Sequence, residues 1–497
     1  MEQQFKKYKI SFCALLALPT CALTAGYEAE RGAILAREAA VAANEDNLTE
    51  NERFQTLSDL YHDHFMLEFP EYYNELRRKH RWTDHSLEAI RRREQDSLRA
   101  LEIICSLKRN NLRVAERLNY DLLLRYFEDI TAEQQFKDEY LVVDHLGSAP
   151  ETALQMVASM PAETVAEYER ILAALRGLPT LVDQTLVLLQ EGLKLGVTPP
   201  PTALRNVPRR IGLYLHDDSE ASSLLSAFEQ IPKKVPESER ERLRDTAREE
   251  FEATVRPALQ ELYAYLQEIY LPQARRSIAM KGLPDGRAWY ATRVRQQTTT
   301  DLTPLQIHEL GQSEVRRIRM EMDRVIVQSG FKGSFPEFID FVQTDPRFFY
   351  DTPEALMRGY RDIAKRADPK LVKLFGRLPR LPYGVIPMPA NRSESPVTIL
   401  PAYYIGGSMA AALPGQFMVN TSAVDRSPKW EMEALTLHEA VPGHHLQQSV
   451  AQEIGELPWF RNFDGMRIAF VEGWALYAES LGAEMAFMTI RTPGLVN

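Results

Sequence analysis

From about Glu52 to Glu268, apolar residues recur at three- and four-residue spacing with charged residues between them, which is the period of amphipathic helices. The clearest stretch is Thr164 to Leu195, where leucines and valines line up as one stripe. Breaks are predicted where Gly and Pro gather: rigid loops over Gly196–Pro201 and Ile231–Pro236, and a turn over Gly282–Gly286. No repeat of fixed period is visible. After Gly286 come Trp289–Val294 and a polar threonine run, and Thr303-Pro304 then opens a charged helix that reaches about Gln328. Leu381–Leu413 changes character, being rich in Pro, Gly and Tyr. It leads into Gly415–Asn420, whose aromatic and β-branched residues predict a short strand. The pattern predicts a mainly α fold, with an N-terminal helical region over residues 26–280 and a second region over 281–497 that holds the small β element.

The start of the chain has a different logic. Lys6, Lys7 and Lys9 precede the apolar run Ile10–Leu18, and small residues follow around Thr20–Gly26. That is the layout of a secretory signal peptide, placed here over residues 1–25. The run is short for a bilayer, and no later stretch approaches eighteen uninterrupted apolar residues, so no transmembrane segment is expected. A secreted or periplasmic protein follows. Lipid attachment at Cys21 is the less favoured alternative, because Pro19 and Thr20 are not the small residues such a site prefers. Pro19 also argues against a buried N-terminal helix. With Cys13 and Cys21 assigned to the leader, Cys105 is left alone, so no intramolecular disulfide is expected and the thiol reads as a small buried hydrophobe.

Composition narrows the class only by exclusion. With 44% hydrophobic and 26% charged residues the chain is neither disordered nor fibrous. Its net charge of −10, with basic residues scattered among acidic ones, argues against a nucleic-acid partner.

The candidate chemistry lies near the C-terminus. Three of the ten histidines, His438, His444 and His445, fall within the string His-Glu-Ala-Val-Pro-Gly-His-His. A metal that activates water needs neutral imidazoles on one rigid element and a carboxylate close enough to take the water's proton, and His438-Glu439 supplies the beginning of both. The spacing is irregular, because Pro442 occupies the i+4 position and histidines return at i+6 and i+7. In an unbroken helix, i+7 would separate two imidazoles by roughly 10 Å along the axis, too far to share one ion. Pro442 and Gly443 predict a local bulge that loops out two residues and brings His444 to the ligand place, with His445 the alternative. Glu472, in Val471-Glu472-Gly-Trp-Ala-Leu-Tyr-Ala-Glu479, is the expected third ligand. Glu479, two turns on, either orients a ligand histidine or is solvated. Trp474 and Tyr477 read as packing residues. With this set Glu439 would act as general base and pass the proton to a leaving amine. Gly415–Asn420 could hold an extended substrate by strand addition, or be a hairpin with no such role.

These residues resemble a bacterial family catalogued as domain of unknown function 885, grouped with the zincin-type metallopeptidases. The resemblance rests on Leu57–Pro70, Thr298–Pro304, Leu381–Val385, Pro414-Gly415, Leu435–Leu446 and Glu472–Glu479, the last two being the specific ones. It implies a large helical zincin-like fold with a channel between helical halves and a small β element beside the metal helix. Family members typically continue into further helices. Leu481–Phe487 still resembles them, whereas Met488–Asn497 does not, so a C-terminally shortened copy is expected. The leading expectation is therefore a secreted Zn2+-dependent peptidase of short peptides, with His438, His444 and Glu472 as metal ligands and Glu439 as base. The alternative is a truncated, inactive relative that binds metal or peptide only. A metal-dependent amidase on non-peptide substrates is a weaker third.

Overall fold

Gly and Pro punctuation and helix caps divide the chain into many helices and one small sheet. The computed structural model describes residues 17–71, 81–145, 147–215, 224–388, 400–409, 412–422, 424–455, 457–463 and 468–487. Residues 1–16 of the expected leader and the segment after Phe487 lie outside the described residues. The fold is mainly α, as the periodicity predicts. It forms two compact units, Met1–Tyr290 and Ala291–Asn497.

The first unit contains α1 (Ala17–Ala43), α2 (Glu50–Glu68), α3 (Leu87–Ser106), α4 (Val114–Glu133), α5 (Ala149–Ser159), α6 (Val165–Leu195), α7 (Glu237–Glu250) and α8 (Arg256–Tyr265), with shorter turns between them. The long helix α6 starts at a capping box, in which Thr164 and Glu167 satisfy each other's backbone N–H groups, and it ends where Gly196 turns left-handed at φ 72°. Its stripe of Ile171, Leu175, Leu178, Val182 and Leu189 is buried and packs against α5, α7 and α8. By length and composition α6 could cross a membrane, yet 56% of its most apolar window is buried inside this unit. Charged residues such as Asp183 and Glu191 interrupt its apolar run.

α1 is fastened by charge. Glu38, Glu68 and Asp96 are all buried. Arg31 reaches Asp96 at 2.6 Å, Arg99 reaches Glu38 at 2.9 Å, and the Tyr27 hydroxyl donates to Glu68. Arg92 and Arg93 approach Glu68 from α3 at 3.3 and 3.4 Å. Burial pushes the Asp96 carboxyl up, but hydrogen bonds from His64, Arg31 and Arg99 outweigh it and hold the group well below the usual range. α1 runs unbroken through Pro19 and Gly26, so the break expected at Pro19 does not occur. Cys105 is exposed rather than buried, because its neighbour Ile104 takes the inward position of α3.

The division between the units falls inside α9 (Gly286–Thr298), between Tyr290 and Ala291. Trp289, fully buried, stacks on Phe136 at 5.7 Å and keeps the first turn of α9 with the first unit.

The second unit continues with α10 (Pro304–Ser329), α11 (Phe335–Thr344), α12 (Pro353–Ala367), β1 (Tyr383–Pro387), β2 (Ala402–Ile405), β3 (Gly415–Val419), α13 (Met432–Glu439), α14 (His444–Glu453), α15 (Trp459–Phe463) and α16 (Ile468–Ser480). α10 begins at a Thr303–Gln306 capping box, close to its expected start. The sheet order is β1-β3-β2, with β1 parallel and β2 antiparallel to β3. The predicted strand is therefore central, paired on both sides, and has no edge to offer a substrate. Phe417 and Val419 from β3, Leu356 and Tyr360 from α12, and Leu437 from α13 meet in one buried core. Each such side chain contributes about 1.5–3 kcal/mol on burial. This core holds the sheet against the helix that carries His438 and Glu439.

Candidate functional site

The His-Glu-Ala-Val-Pro-Gly-His-His string is two helices and a corner. α13 ends at Glu439, and α14 begins at His444. The expected bulge inside one helix is thus a complete break. Pro442 has no N–H for a ladder, and the Val441–Pro442 peptide is cis. At Gly443 a Cβ would collide with the carbonyl oxygens of His438 and Leu437, so the corner requires glycine. The Trp474 indole N–H donates to the Pro442 carbonyl at 2.9 Å, tying the corner to α16. His445 N–H closes it by donating to the Ala440 carbonyl at 3.1 Å.

The break brings His438 and His444 side by side, with ring centroids 4.8 Å apart and planes at 90°. Glu472 on α16 completes the group. Its Oε2 lies 3.3 Å from His438 Nε2 and 3.8 Å from His444 Nε2, and the three ligand atoms all fall within 4.8 Å of one another. Donors bound at about 2 Å around a tetrahedral ion stand ~3.3 Å apart, so a small inward movement would let these three share one. Two imidazoles, one carboxylate and no thiolate form a donor set suited to zinc.

His438 is oriented from behind, because its Nδ1 lies 2.8 Å from Glu479 Oε1, which leaves Nε2 aimed at the cluster. Of the two readings of Glu479, the orienting one matches the geometry. The Glu479 bond raises the His438 pKa against the opposing effect of burial. Burial, then the charge of His438, lowers that of His444.

His445 faces the other way. It is 1% exposed, and its Nδ1 meets the Tyr404 hydroxyl at 2.8 Å and Ser449 Oγ at 3.2 Å. The ring also donates to the Leu381 carbonyl, and burial lowers its pKa to about 4. Its nitrogens are occupied in joining α14 to β2, so His444, not His445, is the imidazole beside His438. Nothing in the spacing announced Tyr404, which lies in the Tyr- and Gly-rich segment.

Glu439 is buried. Burial pushes its carboxyl up to about 7; Glu472 and Glu479 add to the rise, while His438 and the backbone N–H of Tyr404 oppose it. That last bond shows how the edge strand meets the site. Asn420 N–H donates to the Pro401 carbonyl at 2.8 Å, and antiparallel alternation then turns the N–H and C=O of Ala402 and Tyr404 away from β3. β2, not β3, is therefore the edge strand of the sheet beside α13, and its Tyr404 N–H is spent on Glu439. Of the residues read as packing, Trp474 is half-buried and joins the core, whereas Tyr477 is 55% exposed.

The model of a family of bacterial proteins of unknown function, DUF885, matches residues 70–495. The chain belongs to the DUF885 family. The match extends past Phe487 into Met488–Asn497, the stretch expected to diverge from the family. No curated protein matches the sequence. Among solved structures, the chain is similar to a protein from Colwellia psychrerythraea provisionally named a lipoprotein. The TM-score is 0.72 and the identity 20%, over 93% of this chain and 78% of that one. It is also similar to a protein of unknown function from Shewanella oneidensis, again provisionally named a lipoprotein. There the TM-score is 0.59 and the identity 15%, over 87% of this chain and 78% of the other. At these identities the likeness is one of fold.

Proposed function

We propose that this DUF885 protein is a zinc-dependent peptidase working outside the cytoplasm, with His438, His444 and Glu472 as metal ligands. The observation that carries the reading is the convergence of these three donors from three separate helices within 4.8 Å. A zinc ion held by these three residues would supply Lewis acidity. The chain's own residues do the rest. Glu439, poised near neutral pH by burial, accepts a proton from water and delivers it to the leaving amine. Glu479 fixes the His438 ring and its tautomer. β2 is the edge strand along which an extended peptide would be aligned. Location outside the cytoplasm is supported by the Lys-rich, apolar, small-residue pattern of residues 1–25 and fits the lipoprotein names of the two structural neighbours.

The test is zinc content together with cleavage of a mixed short-peptide library, for the unaltered chain, Glu439→Gln and His438→Ala. The reading expects stoichiometric zinc that His438→Ala loses, and cleavage that Glu439→Gln loses. Zinc without cleavage would identify an inactive relative, and absence of zinc would overturn the ligand set.

A further inference from the structure

α16 is apolar on the side where a surface helix should be polar. Its inward positions are Trp474, Ala475 and Ala478. Its outward ones are Ile468, Ala469, Phe470, Glu472, Gly473, Leu476, Tyr477 and Ser480, among which Glu472 is the sole charge. Ile468 is 58% exposed, Phe470 60%, Leu476 61% and Tyr477 55%. A helix apolar all round belongs inside something. Four large side chains this open on one helix form more than scattered surface apolarity.

The position of the face relative to the metal ligands indicates what covers it. Ile468 and Leu476 stand four residues before and after Glu472, so the three share one face, each a turn from the next. The carboxylate that meets His438 and His444 is thus flanked on both sides by exposed aliphatic side chains. Gln447, one turn beyond His444 on α14, donates to the Phe470 carbonyl at 3.1 Å and fixes the start of this face relative to the histidines. An acidic residue brought to this wall leaves water for an apolar surface whose sole charge is the Glu472 carboxylate.

We infer that the outward face of α16 is the specificity wall of the site and takes the apolar side chains of a bound peptide on either side of the reacting bond, discriminating against acidic ones. The inference deepens the peptidase reading and rests on it for the direction of the substrate. The experiment separates the two by measuring binding apart from cleavage. The full chain with Glu439→Gln, supplemented with zinc, is titrated by fluorescence anisotropy with a labelled tetrapeptide carrying two central leucines and with its two-aspartate counterpart.

The leucine peptide is expected to bind at least about tenfold more tightly, in keeping with the discrimination one apolar contact supplies. Adding Leu476→Gln or Ile468→Gln should each remove most of that preference while zinc content stays unchanged. Val315→Gln, at an exposed apolar position of α10, should leave it intact. Equal affinity for the two peptides, or a preference that both wall variants retain, would overturn the inference. So would wall variants that change the oligomeric state in analytical ultracentrifugation without touching peptide binding, since the face would then be a subunit contact. Cleavage by the unaltered chain decides the peptidase reading separately. Cleavage without apolar preference sinks only the wall, and apolar binding without cleavage sinks only the peptidase.

Discussion

Glu439 makes a thermodynamic signature that needs no substrate. Its carboxyl is pushed up to about 7 in the metal-free fold, chiefly by burial, against an ordinary value of 4.5. The folded state therefore holds this proton more tightly than the unfolded chain does. Its contribution is full below the unfolded value and is lost as pH rises through about 7. Integrated between pH 5 and pH 8, the loss amounts to roughly 2–3 kcal/mol. For a unit of this size that corresponds to a fall in Tm of about 5–10 °C. Glu439→Gln removes the titration and keeps the shape. Differential scanning calorimetry of chelator-treated unaltered chain and Glu439→Gln at pH 5, 6, 7 and 8 isolates the effect, because other titrating groups are common to both. The Tm of the unaltered chain should fall behind that of the variant steadily as pH rises. A difference that stays flat across the series would refute the claim that burial raises this carboxyl.

Three further outcomes follow from the geometry. Gly443→Ala forces a Cβ into the His438 and Leu437 carbonyls, and should destabilise the second unit by about 2–4 kcal/mol while lowering zinc uptake, read by calorimetry and metal analysis. Glu479→Gln removes the charged partner of His438 Nδ1 and should weaken zinc about 10–100-fold in chelator competition, with the fold unchanged by circular dichroism. Trp289→Ala empties the stack on Phe136 and should cost about 3–5 kcal/mol, seen as a lowered Tm in calorimetry, with zinc content preserved.

The helices were legible because their stripes and caps are local: Thr164 and Gly196 mark the ends of α6, and Thr303 marks the start of α10. Glu439 and the pairing of His438 with Glu472 were legible as residue types whose chemistry converges. The corner was less so. Pro442 and Gly443 announce a disturbance, but a bulge and a break differ only in where the following helix points, which Trp474 and the buried core decide from far away in sequence. The sheet was least legible. β1 and β2 are held by pairing with β3, in a Pro- and Gly-rich stretch with little periodicity of its own, so the local pattern does not tell a central strand from an edge. Cys105 and Tyr477 illustrate the same limit: a side chain's exposure depends on neighbours that the local pattern does not name.

The charged clasp on α1 bears on how the chain would be processed. Its described attachments begin at Tyr27 and continue through Arg31 to Glu38. A leader cut away after residue 25 would carry off none of them. The new amino terminus would emerge one residue ahead of a tyrosine already gripped by Glu68, Arg81 and Arg92. Such a chain would begin anchored, its first turn moored by arginines and carboxylates, instead of ending in a loose thread for exopeptidases to find.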